Sequence, residues 1–389
     1  MPGLVVKPRS RIFHGHDWVY ASEIQKTFGN PEAGSVVSLK DFKDRPLGSA
    51  IYNPQSQIVA RRISRRKQEL DREFFKRRIE RAAAYREQLG FPEPVYRLAW
   101  SEADGLPGVI IDRYRDVFVL QTLTLAMEQR QGLIVEALVD LFGPAAVIER
   151  NDSSGRKAEG LEERLGVVYG DWSGSTALTI GGVSFEVDLL AGQKTGLYLD
   201  QLDSYAAVAR YAKGRRVLDC FCNQGGFALH AAIAGAESVS AVDISESATE
   251  ATRLNAERNE VSISVETANV FDFLKEAESR GDSFDLIVLD PPSFARNRKS
   301  LAGAIRGYKE IHLRALKLLT RDGILSTFSC SHHISEREFL DVIRDASVDA
   351  KKTLRLLEVH QQRRDHPIIA TLPETHYLKG YTFQLMGGF

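Results

Sequence analysis

The residues able to do chemistry gather at five places in the second half of the chain. Val217-Leu218-Asp219-Cys220-Phe221-Cys222-Asn223-Gln224-Gly225-Gly226-Phe227 runs from an apolar strand through an acid into a double-glycine loop and then a helix. Glycines let backbone approach a ligand closely. The spacing is not the G-x-G-x-x-G of dinucleotide sites, and an acid where a pyrophosphate would lie argues against a nicotinamide cofactor. A ligand with a positively charged amino group suits Asp219, and S-adenosylmethionine is such a ligand. Asp243 ends the next apolar run, 24 positions later. An acid there can accept both hydroxyls of a ribose; alone, it reads equally as a helix cap. Asn269 closes the following strand, where its amide could meet an adenine edge. Asp272 reads equally as the cap of the next helix.

Two further places concern a second substrate. Asp290-Pro291-Pro292-Ser293-Phe294 makes a stiff loop that can hold a side chain and carbonyls against a flat base. Cys330 stands at the expected end of a strand in Thr327-Phe328-Ser329-Cys330-Ser331-His332-His333. C5 of cytosine is a poor nucleophile, but a thiolate that adds at C6 makes C5 enamine-like and able to attack a methyl sulfonium. The alternative is a free cysteine packed beneath a helix. His332 and His333 either raise the thiolate content or are polar loop residues. The three Cys and nine His show no paired ligand spacing, so no metal is expected.

These residues need a scaffold that brings strand ends together. Val217–Asp219, Ser238–Asp243, Phe284–Asp290 and Ile324–Cys330 read as short apolar strands, with helices over Phe227–Ala234, Glu246–Arg258 and Gly307–Leu319. Such alternation predicts an α/β domain with a parallel sheet, whose ligands bind at the C-terminal strand ends. Residues 1–69 read instead as a β-rich module, with Gly34–Leu39, Leu47–Tyr52 and Ile58–Ile63 as strands. Trp18 and Tyr20 there are core anchors or RNA-stacking residues. A helix over 70–90, strands Val109–Asp112, Val117–Leu123 and Ala145–Arg150, and a helix Met127–Phe142 make a central α+β segment. The resulting division is 1–69, 70–178 and 179–389.

Length and composition agree with this division. The 389 residues, 43% hydrophobic and 26% charged, suffice for two or three cores without disulfides. No apolar run of about 18 residues exists, so no membrane span is expected. The first residues lack the apolar core of a signal peptide, and an intracellular, cytoplasmic location is expected. The net charge of −1 conceals +8 in residues 1–90 and −9 in the remainder. The basic density centres on Arg61, Arg62, Arg65, Arg66, Lys67, Arg72, Lys76, Arg77, Arg78, Arg81 and Arg86. Such a segment attracts phosphates; the alternative is a solvated helix face held by pairs such as Glu73–Arg77.

The chain resembles the bacterial large-subunit (23S) rRNA cytosine-C5 methyltransferases of the RlmI type, within the class I S-adenosylmethionine-dependent enzymes. The stretches that carry the resemblance are Gly192-Gln193-Lys194-Thr195-Gly196-Leu197-Tyr198-Leu199-Asp200-Gln201, the Asp219–Phe227 loop, Asp290–Phe294, Gly307-Tyr308-Lys309-Glu310 and Thr327–Ser331. The resemblance implies an N-terminal PUA RNA-binding domain, a central α+β domain and a C-terminal Rossmann-like catalytic domain. It makes Cys330 the attacking thiol and puts Asp290 beside the cytosine. It assigns S-adenosylmethionine to Asp219, Asp243 and Asn269, with backbone from Asn223, Gln224 and Gly225 and with Lys194, Thr195 and Tyr198 along the methionine side. Asn223-Gln224 replaces a common Tyr-Thr, and Asn269 stands where Asp is common. The implied partner is 23S rRNA or a large-subunit assembly intermediate, with a homodimer left open. Two alternatives remain at this point: a guanine N2-methyltransferase, and a non-catalytic RNA-binding assembly factor.

Overall fold

The computed structural model describes residues 1–172, 174–190, 195–295 and 300–387. The chain forms two compact units. One gathers Met1–Thr176, Val187–Leu199 and Arg364–Thr375; the other gathers Ala177–Glu186, Asp200–Arg363 and the chain from His376 onward.

The first unit holds two sheets. Six strands (Gly3–Val6, Trp18–Val19, Ile24–Phe28, Val36–Lys40, Pro46–Tyr52 and Ala60–Ser64) form the N-terminal one. Alternate residues such as Val37 and Leu39 turn into its small core with Leu4, Val6 and Val19. The third expected strand starts at Ala60 rather than Ile58, because Asn53 begins a turn that closes on Val59. Five strands from Val95–Trp100 to Arg164–Gly170 form the other sheet. Helices Arg72–Leu89 and Gln131–Phe142 bury Phe74, Phe75, Ile79, Ile134 and Leu138 in the same core as this sheet. Asp71 caps the first of these helices and Gly90, in the left-handed region, ends it. The helix expected over Met127–Phe142 is broken: Leu125–Glu128 and Gln131–Phe142 are separate, with Arg130 non-helical between them.

The basic segment divides in two. Arg62 is buried and pairs with Asp17 at 2.6 Å; Arg61 pairs with Glu102, Arg86 with Asp104 and Arg72 with Asp140. Arg77 bonds Gln68 rather than Glu73. Arg61, Arg62 and Arg86, whose side chains are largely covered, belong to the fold, whereas Arg72 and Arg77 are exposed. Arg65, Arg66, Lys67 and Arg81 are exposed.

The second unit carries a seven-stranded sheet: β1 (Arg216–Cys220), β2 (Ser238–Asp243), β3 (Ser264–Thr267), β4 (Phe284–Leu289), β5 (Leu319–Ser329), β6 (Thr353–Gln361) and β7 (Lys379–Met386). Their order is β3-β2-β1-β4-β5-β7-β6. The first five run parallel, and β7 is inserted antiparallel between β5 and β6. This is a Rossmann-like α/β sheet with a reversed edge, as the alternation predicts. Leu218, Cys220, Ile287, Leu289 and Leu325 share one core with helices Val270–Arg280, Leu301–Leu318 and Glu336–Asp349. By the two-residue period of a strand, Asp219 points to the opposite face. The expected helix Gly307–Leu319 begins six residues earlier, at Leu301. No described helix is long and apolar enough to cross a membrane.

Arg62→Ala is expected to destabilise the protein by about 1–3 kcal/mol through the loss of a half-buried charged bond, while Arg66→Ala stays within about 0.5 kcal/mol. Urea denaturation of the two variants makes the comparison; equal effects would refute the structural assignment of Arg62.

Candidate active site

Asp219, Asp243 and Asp290 stand at the C-terminal ends of β1, β2 and β4, three adjacent strands at the point where strand order reverses. Asp219 is fully buried. Its Oδ2 accepts the Ala228 N–H at 2.9 Å. Its Oδ1 is buried without a hydrogen-bond partner among the described residues. Burial pushes this carboxyl well above the usual range; the Ala228 N–H opposes that shift, and the charges of Asp290 and Asp243 add to it. A buried acceptor with no donor is costly, and nearby carboxylates raise the cost. A ligand ammonium would relieve both, so the amino group of S-adenosylmethionine fits this position.

The loop after β1 is held in an unusual shape. Phe221, Asn223 and Gly225 all have left-handed backbone, at φ +65°, +49° and +83°. For Phe221 this conformation is a genuine outlier. Neighbours enforce it. The Phe221 and Cys222 N–H groups donate to Val242 O, and the Asn223 N–H donates to Asp243 Oδ2 at 3.0 Å. Thr252 donates to Asn223 O at 2.7 Å, Asn255 to Gln224 O at 3.3 Å, and Gln224 N–H to Asn223 Oδ1 at 2.9 Å. A Cβ on Gly226 would lie 2.4 Å from the Tyr205 ring, so no side chain fits there.

Asp243 holds the loop through Oδ2 and its own turn through Oδ1, which accepts Ser245 N–H at 2.9 Å. Each oxygen keeps a second lone pair for a ligand hydroxyl. The helix cap in this turn is Ser245, not Asp243. Asn269 caps Val270–Arg280 by accepting Phe271 N–H at 2.9 Å, which leaves its amide nitrogen for a base edge. Asp272 lies inside that helix's first turn instead of capping it.

Cys330 follows the last residue of β5 and is partly exposed. Its neighbours are both turned inward. The Tyr308 hydroxyl lies 3.0 Å from Ser329 Oγ and 3.1 Å from Ser331 Oγ, and Ser293 of the Asp-Pro-Pro loop lies 3.0 Å from Ser331 Oγ. Burial pushes the Tyr308 phenol up to about 12, so it stays neutral. Its ring packs on Phe294, which also meets Phe221 and Phe271. Burial, with the charge of Asp219, pushes the thiols of Cys220 and Cys222 well up. They are inert, and Cys330 is the thiol with access. His332 and His333 are exposed loop residues, and the His332 ring packs against Tyr377.

Asp290 Oδ2 accepts Gln201 Nε2–H at 3.0 Å, and Gln201 Oε1 is buried without a partner among the described residues. Gln201 and Tyr308 carry no role in a strand-end reading of the sequence, although both lie in stretches that carry the family resemblance; the pairing of distant segments gives each its contacts. Thr195 and Tyr198 belong to the other unit. There Thr195 is buried and donates its hydroxyl to Asp112 Oδ2 at 2.5 Å, while Arg97 grips both oxygens of Asp112 at 2.8 Å. Lys194 lies outside the described residues. No cluster of metal-ligating side chains occurs among the described residues.

Residues 7–65 match a PUA-like domain, and residues 168–362 match the S-adenosylmethionine-dependent methyltransferase family. A protein of Tolumonas auensis named ribosomal RNA large subunit methyltransferase I is 42% identical over 377 residues, covering 95% of each chain. A protein of the same name from Vibrio vulnificus is 40% identical over 391 aligned residues, covering 98% of each. Among solved structures, that of SMU.776 complexed with SAH superimposes at a TM-score of 0.86, with 23% identity over 99% of this chain and 100% of that one. That likeness concerns the fold.

The raised pKa of Asp219 has a consequence for stability. An acid whose folded pKa exceeds its unfolded one destabilises the fold progressively as pH rises from the unfolded value towards the folded one. Asp219→Asn is therefore expected to raise the melting temperature of the ligand-free protein by roughly 2 °C or more at pH 8, with a smaller gain at pH 5. Scanning calorimetry at the two pH values checks this; a lower melting temperature at pH 8 would contradict the buried-charge account.

Proposed function

The chain belongs to the ribosomal RNA large subunit methyltransferase I family and is S-adenosylmethionine-dependent, and we propose that it methylates C5 of a cytosine in large-subunit (23S) rRNA through a covalent Cys330 adduct. One observation carries the cytosine-C5 reading. The accessible thiol stands at the C-terminal end of β5, braced through Ser331 by the Asp290-Pro291-Pro292-Ser293 loop, while the other two cysteines are buried and inert.

S-adenosylmethionine, when bound, supplies a methyl group made electrophilic by its sulfonium. Asp219 Oδ1 would hold the cofactor's ammonium, Asp243 the ribose hydroxyls and Asn269 the adenine edge. The Cys330 thiolate adds to C6 of the cytosine, and the electron pair displaced from the C5–C6 bond makes C5 the nucleophile. Asp290 sits against N3 of the ring, and it is the protonated acid, formed as the base binds, that donates to N3 and stabilises the negative charge that develops on addition. Gln201 Oε1, beside Asp290, accepts from the exocyclic amine. Once C5 carries the methyl group, solvent water takes the C5 proton, the C5–H electron pair re-forms the C5–C6 double bond, and the C6–S bond breaks to release the Cys330 thiolate and the free enzyme.

The PUA-like module holds the RNA, and the exposed Arg65, Arg66, Lys67 and Arg81 supply the phosphate contacts.

Cys330→Ser is expected to lower methyl transfer to an rRNA transcript at least about a hundredfold while S-adenosylmethionine affinity by calorimetry stays within about twofold. Full activity in that variant would sink the covalent mechanism and favour transfer to an amine. Mass-spectrometric mapping of rRNA from a strain lacking the protein should show the loss of one 5-methylcytosine. Charge reversal at Arg65, Arg66 and Lys67 together should flatten the slope of log affinity against log salt by about 2–3 in filter binding. An unchanged slope would move the RNA contact elsewhere.

A further inference from the structure

We propose that Lys379 is a positioning residue for Cys330: its buried ammonium fixes the turn that carries the thiol and is the cation against which the thiol ionises. Cys330 as the nucleophile is the reading on which this rests. Lys379 opens β7 and stands directly opposite Ser329, the last residue of β5, so antiparallel pairing delivers it beside the residue that follows. The side chain is buried, 6% exposed. Nζ donates to Ser331 O and to Ile334 O, each at 2.8 Å. Those carbonyls lie one and four residues beyond Cys330, so the bonds tie the turn down on the side away from β5.

Two carbonyls use two of the three donors of an ammonium. The third N–H has no hydrogen-bond partner among the described residues, and no described carboxylate is within ion-pair distance. A buried cation with only neutral acceptors is costly and favours an anion nearby. Burial draws the Lys379 pKa below its ordinary value; a charged Cys330 pushes it back, ahead of Glu336 and then Glu338. The attraction is mutual, so the ammonium favours the thiolate as the thiolate favours the ammonium.

The other charged groups around the turn do not replace Lys379. Glu336, on the helix Glu336–Asp349, accepts the Tyr381 hydroxyl, and Glu338 is engaged by Ser335 in a capping box. Both are anions and favour the ammonium rather than the thiolate. Tyr308, from Leu301–Leu318, is neutral. Asp290, from the loop after β4, is an acid and opposes a second negative charge. His332 and His333 are exposed to solvent. Among the described residues of this unit, Lys379 is the buried cation that bonds the turn.

The test reads the thiol itself, apart from methyl transfer. Cys330 alkylation by iodoacetamide is followed peptide by peptide from pH 5 to 9.5 in the full-length protein, in Lys379→Met and in Lys379→Arg. The wild-type rate should inflect below the ordinary thiol value of about 8.5. In Lys379→Met the inflection should rise by at least one pH unit. Turnover at pH 7 should then fall about tenfold, a one-unit shift being a tenfold change in thiolate, and should recover towards pH 9 with KM for S-adenosylmethionine unchanged. Lys379→Arg should keep the low inflection. An unshifted inflection in a folded Met variant overturns the proposal. If that variant does not fold, a wild-type inflection at or above the ordinary value overturns it alone. The two readings fail separately: a fully active Cys330→Ser enzyme removes the nucleophile and leaves the thiol's titration standing, whereas an unshifted thiol removes Lys379 and leaves the nucleophile.

Discussion

The catalytic unit depends on holding three carboxylates together. Asp219, Asp243 and Asp290 are brought to neighbouring strand ends by the parallel order β2-β1-β4, and the repulsion of Asp219 by the other two is built into the fold. The surrounding structure is organised to tolerate it. Asp243 is tied down by the Asn223 and Ser245 N–H groups, Asp219 by Ala228 N–H, and Asp290 by the Gln201 amide. The left-handed residues of the loop aim its N–H groups at Asp243 and Val242, and the double glycine lets Thr252 and Tyr205 close over it. The strain at Phe221 is thus offset by the interactions that hold the loop and Asp243 in place.

Ionisable groups deeper in this unit are kept neutral. Burial draws His312 down to about 4, while its ring bonds Tyr308 O and the Thr327 hydroxyl. His230 is likewise lowered by burial and bonds Gly226 O. Tyr308 is held up at about 12. Neutral polar groups give direction without adding charge to an already acidic centre. Tyr308 uses one hydroxyl to set the side chains on both sides of Cys330, Ser329 and Ser331, while Cys330 itself keeps partial exposure.

The sequence makes legible those parts of the fold that depend on short-range pattern. Apolar strands ending in acids predict β1, β2 and β4, and a parallel α/β sheet follows from their alternation with helices. Asn269 and Asp272 are harder to read: both precede or open a helix, and only backbone geometry shows that Asn269 is the cap. Arg62 illustrates the same limit. Its place in a dense basic run suggests a surface, but a partner 45 residues earlier, Asp17, takes it into the fold. Gln201 and Lys379 act through pairings across 89 and 48 residues, which no local pattern carries. At Cys330 position alone leaves either a packed thiol or a reactive one, and the motif resemblance is what points to the second.

The insertion of β7 between β5 and β6 also has a consequence for how the chain is made. During vectorial synthesis β5 can pair with β4 as soon as both have emerged, but its other edge must wait until β6 and then β7 follow. Through that interval Leu319–Ser329 presents an open edge of eleven residues that carries Leu319, Ile324, Leu325 and Phe328, the kind of template on which nascent chains associate. The non-local closure that shields this edge is the same event that sets Lys379 opposite Ser329. A nascent chain therefore gains protection from aggregation and a finished Cys330 turn in a single step.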